Sequence, residues 1–402
     1  MKPLTGTNRD ITSKWSRKTQ MVRSGTMRSN FDEMSEAMFL TSGFAYKCAE
    51  DAEARFDGTQ EGFTYSRQTN PTVSMFEERM AVLEGADQGR ATGTGMAAMT
   101  AALLCQVKAG DHVVGAKALF GSNRYLLDTL LPKFGVETTV VEGSDISAWK
   151  AAIRPNTNVL FAETPSNPTL EICDVQAVAD IAHENKARLI VDNVFATPIL
   201  QSPMEMGADI VAYSTTKHID GQGRCLGGIV LCDAAFDEEF LFPFARHTGI
   251  IMSPFNAWVM LKGLETLDLR VNAMCDSAEH VANALADRGI NVRYPLLDNF
   301  EQRDLAMRQM SRGGTMVTIE VPEGRDQAFK FLNALEIIDI SNNLGDSRSM
   351  ATHNWSTTHK ALAEEARLEL GITTGLIRMS IGLEDKHDLV ADLMQAFDKA
   401  GL

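Results

Sequence analysis

Several stretches of this 402-residue chain set reactive side chains at the ends of short apolar runs. Residues 210–213 lead into Ser214-Thr215-Thr216-Lys217-His218, a lysine among small hydroxyls. Such a lysine suits Schiff-base chemistry, and the hydroxyls suit a phosphate. Residues 188–191 end in Asp192-Asn193, a carboxylate able to pair with a cationic ring nitrogen. Residues 159–162 end in Glu163-Thr164-Pro165-Ser166-Asn167-Pro168. Upstream, Gly93-Thr94-Gly95-Met96 opens a predicted helix whose first amides point at an anion.

Taken together these supply a covalent attachment point, a pyridinium partner and a phosphate cup, which are the elements needed to hold pyridoxal phosphate. Each alone is weak, because a strand-end Asp is most often a cap and a lysine in a hydroxyl-rich loop is most often solvated. Their order at successive strand ends is what gives them weight. Gly93-Thr94-Gly95 lacks the third glycine of a dinucleotide fingerprint and the Gly-Lys-Ser/Thr of a P-loop, which disfavours nucleotide readings.

The elements that must carry these residues show in the pattern. Apolar runs at 112–115, 138–141, 159–162, 188–191, 210–213 and 229–231 alternate with amphipathic stretches such as 175–185. Buried strands separated by helices predict an α/β fold with a mostly parallel sheet, whose ligands bind beyond the carboxyl ends of the strands. Past Ser253 a long helical stretch, 257–288, precedes strand-like runs at 316–321 and 377–381, predicting a smaller C-terminal α+β domain. Residues 1–62 are polar, with one candidate helix at 49–56, and read as an arm that must dock to become ordered. The expected division is 1–62, 63–256 and 257–402.

Composition narrows the partners. With 53 acidic and 38 basic residues the formal net charge is −15, which repels nucleic acid and anionic lipid. Six cysteines, at 48, 105, 173, 225, 232 and 275, show no CxxC pair and no metal-ligand spacing, so reduced thiols and no metal are expected. The chain has neither the apolar run of a secretory signal nor the ~20 apolar residues of a membrane span, and a cytoplasmic location is expected. His353 and His359, six residues apart without a third ligand, read as hydrogen-bonded loop histidines.

The sequence resembles the cystathionine γ-synthase-like (Cys/Met metabolism) group of fold-type I pyridoxal-phosphate enzymes over nearly its whole length. The motifs are Tyr65-Ser66-Arg67 with Asn70-Pro71-Thr72, Gly95-Met96-Ala97-Ala98, Glu163 to Pro168, Val191-Asp192-Asn193, Tyr213 to Lys217 and Arg378 to Asp385. The resemblance implies a large domain with a seven-stranded, mostly parallel sheet between helices, and a homotetramer built as a dimer of dimers with shared active sites. It implies Lys217 as Schiff-base former, Asp192 on the pyridine nitrogen, and Phe120 stacked where many relatives have a tyrosine. Gly95, Met96, Ser214 and Thr216 would cup the phosphate, completed by Tyr65 and Arg67 of a neighbouring chain, with Tyr65 also catalytic. Asn167 and Arg378, with Asn343 and Glu163, would bind substrate. Asn343 stands where lyase members usually carry serine.

The implied reaction is γ-replacement on O-succinyl-L-homoserine by sulfide, giving L-homocysteine and succinate for methionine biosynthesis. The alternatives are the acetyl ester, cysteine as sulfur donor, or γ-elimination of methionine. Arg124 is an expected neighbour of the succinyl carboxylate, set against the plainer reading of an exposed helix arginine.

Overall fold

The computed structural model describes residues 2–3 and 8–402; Met1 and residues 4–7 of the expected arm lie outside the described residues. Seven strands form the mostly parallel central sheet: β1 (Gln88–Thr92), β2 (His112–Ala116), β3 (Glu137–Val141), β4 (Thr157–Glu163), β5 (Arg188–Asp192), β6 (Ile210–Tyr213) and β7 (Gly228–Cys232). Five more form a second sheet: β8 (Asn291–Arg293), β9 (Met316–Glu320), β10 (Asp339–Ile340), β11 (Met350–His353) and β12 (Leu376–Ser380). The α/β class expected from alternating buried runs and amphipathic stretches is the fold observed.

By internal contacts the residues group into two compact units, one of 1–106, 210–216 and 224–266, the other of 107–209, 217–223 and 267–402. The two units interleave along the chain.

In the first unit β7 runs antiparallel to both β1 and β6. β6 and β7 are buried at every position, which is why both read as unbroken apolar runs. The helix Pro71–Glu84 packs beside them with Met75, Phe76 and Met80 fully buried. Its ends are written in the sequence: the Asn70 side chain accepts from the Thr72 amide, Pro71 takes the first turn, and Gly85 closes it at φ +81°.

The arm has more to hold on to in its own unit than its polar composition suggested. Arg79, fully buried on that helix, donates to the Ser24 carbonyl at 2.8 Å and to Glu36 at 2.8 Å. Lys262 also pairs with Glu36, and Trp258 Nε1 donates to the Glu36 carbonyl. Polar residues anchor this stretch because they meet buried partners of opposite charge, a pairing that hydropathy does not register. The helix Ala49–Phe56 forms where it was expected.

In the second unit β2, β3, β4 and β5 pair in parallel. The helix Val175–Glu184, capped by Asp174, buries Val175, Val178 and Ile181. The second sheet runs in the order β8-β9-β12-β11-β10, and its core gathers Val281, Leu285, Val317, Phe331 and Phe397. The single helical stretch expected over 257–288 is two helices, Pro254–Leu264 and Leu267–Asp287. At the junction the Thr266 amide bonds back to the Gly263 carbonyl, a tightened last turn that ends the first helix.

Candidate active site

In the second unit the sheet register sets two carboxylates side by side, for Glu163 closes β4 opposite Asp192 at the end of β5. Asp192 Oδ2 accepts from Asn123 Nδ2 at 2.9 Å, and its Oδ1 accepts from the Val194 amide at 3.2 Å. Burial pushes this carboxyl up to about 6, against the pull of the Asn123 and Val194 donors. A cation placed on the free face would restore its charge, which is the environment a pyridinium nitrogen requires.

Glu163 is held differently. Its Oε2 accepts from the Phe120 amide at 2.6 Å and its Oε1 from the Asn167 amide at 3.1 Å. Burial, and then the neighbouring Asp192 charge, drive it well above the usual carboxylate range. Its oxygens are thus committed to backbone amides, which favours an indirect part in substrate binding over the direct one expected.

Lys217 donates from Nζ to Asn343 Oδ1 at 2.7 Å. Burial, and then the charge of Arg378, lower its pKa to about 8 from the ordinary 10.5, so the free amine becomes accessible within about one or two pH units of neutrality. Arg378, on β12, donates to Asn167 Oδ1 at 3.0 Å and to the Asn342 and Asn343 carbonyls at 3.1 Å each, while its Nε is buried without a partner. β12 is pinned beside the Asn167 turn because Thr318, its neighbour on β9, donates to the Pro168 carbonyl at 2.7 Å. Buried guanidinium and carboxamide side by side make a site for a carboxylate.

The Asn343 loop is held from below by His218, whose Nε2 lies 2.8 Å from Thr315 Oγ1. Burial first, then Arg270 and Lys217, lower this imidazole to about 3, so it stays neutral beside the lysine. Gly345, at φ +72°, passes so close that a Cβ would lie 2.6 Å from the His218 amide nitrogen. A side chain there would push away the loop carrying Asn343.

In the first unit the helix Gly95–Leu104 starts beside Ser214. A Cβ on Gly95 would lie 2.5 Å from Ser214 Cβ and 2.6 Å from its Oγ, so only glycine allows this approach. Thr94 caps the helix by accepting from the Ala97 amide, and the first intrahelical bond is Ala98 to Thr94, so the Gly95 and Met96 amides precede the ladder. Thr216 is fixed by reciprocal bonds between its hydroxyl and the Gly227 backbone. This is a cradle fit for a phosphate, and Lys217 follows Thr216 directly in the chain. Tyr65 is 43 % exposed, with the Arg67 guanidinium 5.6 Å from its ring centroid and bonded to the Arg246 carbonyl.

The structure thus brings Lys217, Asn343, Arg378 and Asn167 together, and Asp192, Glu163 and Phe120 together, in one unit; Gly95 and Ser214 meet in the other. It does not support Arg124 as a succinyl contact: its fork is committed to both Asp128 oxygens at 3.0–3.2 Å and to the Lys117 carbonyl at 3.0 Å. Asn123, the partner of Asp192, escaped the sequence reading although it closes the stretch Leu119-Phe120-Gly121-Ser122-Asn123. Only its nearness to Phe120 hinted at a role. Among the described residues no cluster of three or more His, Cys, Asp or Glu could hold a metal. His353 bonds to Ser356 and to the Thr374 carbonyl, and His359 to Thr358.

Comparison with known proteins bears on this geometry. Residues 18–398 match the family described as Cys/Met metabolism PLP-dependent enzyme. A Mycobacterium tuberculosis O-succinylhomoserine sulfhydrylase is 48 % identical over 387 residues, spanning 95 % of each chain. A Pseudomonas aeruginosa O-succinylhomoserine sulfhydrylase is 45 % identical over 377 residues, 93 % of each. Among solved structures, a Campylobacter jejuni protein described as an O-acetylhomoserine (thiol)-lyase, carrying a pyridoxyl-lysine-phosphate residue, superposes with TM-score 0.91 at 29 % identity, covering 96 % of this chain and 100 % of that one.

Proposed function

The chain belongs to the Cys/Met metabolism PLP-dependent enzymes, and from that premise we propose that it is a transferase joining sulfide to the γ-carbon of O-succinyl-L-homoserine, releasing L-homocysteine and succinate. Its cofactor is pyridoxal phosphate, which when bound supplies an electron-accepting ring that acidifies the substrate α-proton.

Lys217 would be the covalent anchor, and its free Nζ would take up and return the proton. Asp192 would serve as the anion that pairs with the ring nitrogen, and Phe120 would be the aromatic partner of the ring. Gly95, Met96, Ser214 and Thr216 would hold the phosphate. Arg378 and Asn167 hold the α-carboxylate, and Asn343 receives the lysine amine between proton transfers. Tyr65 and Arg67 complete the site from a second copy of the chain, in a cytoplasmic homotetramer arranged as a dimer of dimers. Residues 1–62 act as the arm, 63–256 as the cofactor domain and 257–402 as the small domain.

The observation that carries this reading is the Lys217–Asn343 contact of 2.7 Å next to the Arg378–Asn167 pair. A lysine poised to shuttle a proton beside a carboxylate anchor is what replacement at a γ-carbon demands. The test is a kinetic comparison of succinyl-, acetyl- and phosphohomoserine with sulfide and with cysteine. The proposal expects the highest kcat/KM for the succinyl ester with sulfide. Preference for the acetyl ester, or for cysteine, would replace it with the corresponding relative's reaction.

A further inference from the structure

The strands β4 and β5 end at Glu163 and Asp192, and the residues that follow are tied together by one buried amide. Gln201, 2 % exposed, donates from Nε2 to Asn193 Oδ1 at 2.8 Å and to the Thr164 carbonyl at 3.2 Å. Asn193 directly follows Asp192, and Thr164 directly follows Glu163. Asn193 in turn donates from Nδ2 to the Gln201 carbonyl at 3.1 Å. Behind them Gln309, at the end of the helix Arg303–Gln309, donates from Nε2 to Gln201 Oε1 and to the Cys173 carbonyl, both at 3.0 Å, and accepts from the Val175 amide at 3.0 Å.

Each carboxamide hydrogen of Gln201 and Gln309 thus meets an acceptor, and the chain of bonds runs one way, from Gln309 through Gln201 to the two strand ends. Turned over, Gln201 would set its oxygen against two other oxygens and its N–H groups against the Gln309 amide. A buried network with its members satisfied is rigid, because any shift leaves a polar group unpaired.

The ladder alone holds these strand ends weakly. Its last bond, from the Thr164 amide to the Asp192 carbonyl, is 3.4 Å long, and neighbouring buried carboxylates repel. The turn that Gln201 closes also contains Thr197 at φ +61°, a conformation that β-branched residues avoid. Val194, the residue after Asn193, supplies the 3.2 Å amide bond to Asp192 Oδ1. We propose that Gln201 is a positioning residue for the reaction: by tying Asn193 to Thr164 it holds the Val194 amide on Asp192 and keeps that carboxylate in place for a cationic ring nitrogen. Gln201 acts through Asn193 and Val194, not on the reacting atoms.

The proposal rests on the assignment of Asp192 to the ring nitrogen, and its test separates the two. Gln201→Met nearly preserves the length and volume of the side chain and removes its donors. In holoenzyme carrying pyridoxal phosphate isotopically labelled at the ring nitrogen, the nitrogen resonance of this variant should move toward that of a neutral pyridine, because a loosened Asp192 holds the ring proton less firmly. The kcat should fall about tenfold while KM changes by less than about twofold, since the loss is felt in the transition state and not in substrate binding. A residue that served only the stability of the turn would lower the melting temperature and leave the resonance and kcat as in wild type; that result would overturn the proposal.

If Gln201→Met does not fold, Gln309→Met takes its place. That variant removes the donor to Gln201 Oε1, and the resonance should move the same way by a smaller amount. An unmoved resonance would overturn the proposal equally. Failure of the underlying assignment shows in wild type instead: a cofactor band accompanied by a neutral-pyridine resonance would remove Asp192 from the ring nitrogen, and the proposal with it.

Discussion

Lys217 Nζ lies 2.7 Å from Asn343 Oδ1, joining residues 126 positions apart in the chain. The contact gives the lysine amine a neutral acceptor in place of a carboxylate, so the amine is oriented without its proton being held by an opposite charge. With burial and Arg378 lowering the lysine to about 8, this is an amine set to give and take a proton.

Removing that acceptor should cost rate more than binding. Asn343→Ala is expected to lower kcat roughly fivefold, the loss of a net hydrogen bond of about 1 kcal/mol, with a smaller change in KM. Asn343→Ser, which restores a shorter acceptor, should recover part of kcat and raise the share of γ-elimination, measured as 2-oxobutyrate against homocysteine. A variant with unchanged kcat would show that the lysine is oriented by something else.

The pH dependence follows from the sign of the Lys217 shift. Its folded pKa, about 8, lies below the ordinary 10.5, so the free amine accumulates as pH rises through 8. Recapture of pyridoxal phosphate by cofactor-stripped protein should therefore accelerate with a midpoint near pH 8. A midpoint near 10 would contradict the burial seen here. Because the unfolded chain binds this proton more tightly, the group's cost to folding is largest below pH 8 and fades toward 10.5.

Gly95→Ala tests the phosphate cradle. The added Cβ would lie 2.5 Å from Ser214 Cβ, and relieving the clash costs about 1–3 kcal/mol. Cofactor affinity should fall tenfold or more by equilibrium dialysis, with the far-ultraviolet circular dichroism unchanged. Undiminished affinity would remove the helix start from the phosphate site.

The proposal that Tyr65 and Arg67 serve a neighbouring copy predicts subunit complementation. Lys217→Ala and Arg67→Ala chains, each inactive or nearly so, should regain activity when unfolded together and refolded, because a mixed dimer leaves one site free of both lesions. Mixed dimers that form without activity would confine each site to a single chain.

Lys217, Asp192 and Gly95 were legible in the sequence because each is set by something local: a strand end, a turn, or a helix start beside small residues. The same holds for the buried strands, whose apolar runs need no partner to be recognised, and for the helix Pro71–Glu84, framed by Asn70 and Gly85. Asn123 could not be read this way, since its partner Asp192 is 69 residues distant, and neither could the Lys217–Asn343 or His218–Thr315 pairs, at 126 and 97. Within the arm the same limit applies: Glu36 looks like a solvated acid until Arg79, 43 residues on, is buried against it. Local pattern determines which backbone conformation and which face a residue takes, because sterics and hydropathy act between near neighbours. Which side chains meet is decided by strand register and crossover, so the partners that set protonation at Lys217, Asp192 and Glu163 exist only once the sheets are assembled.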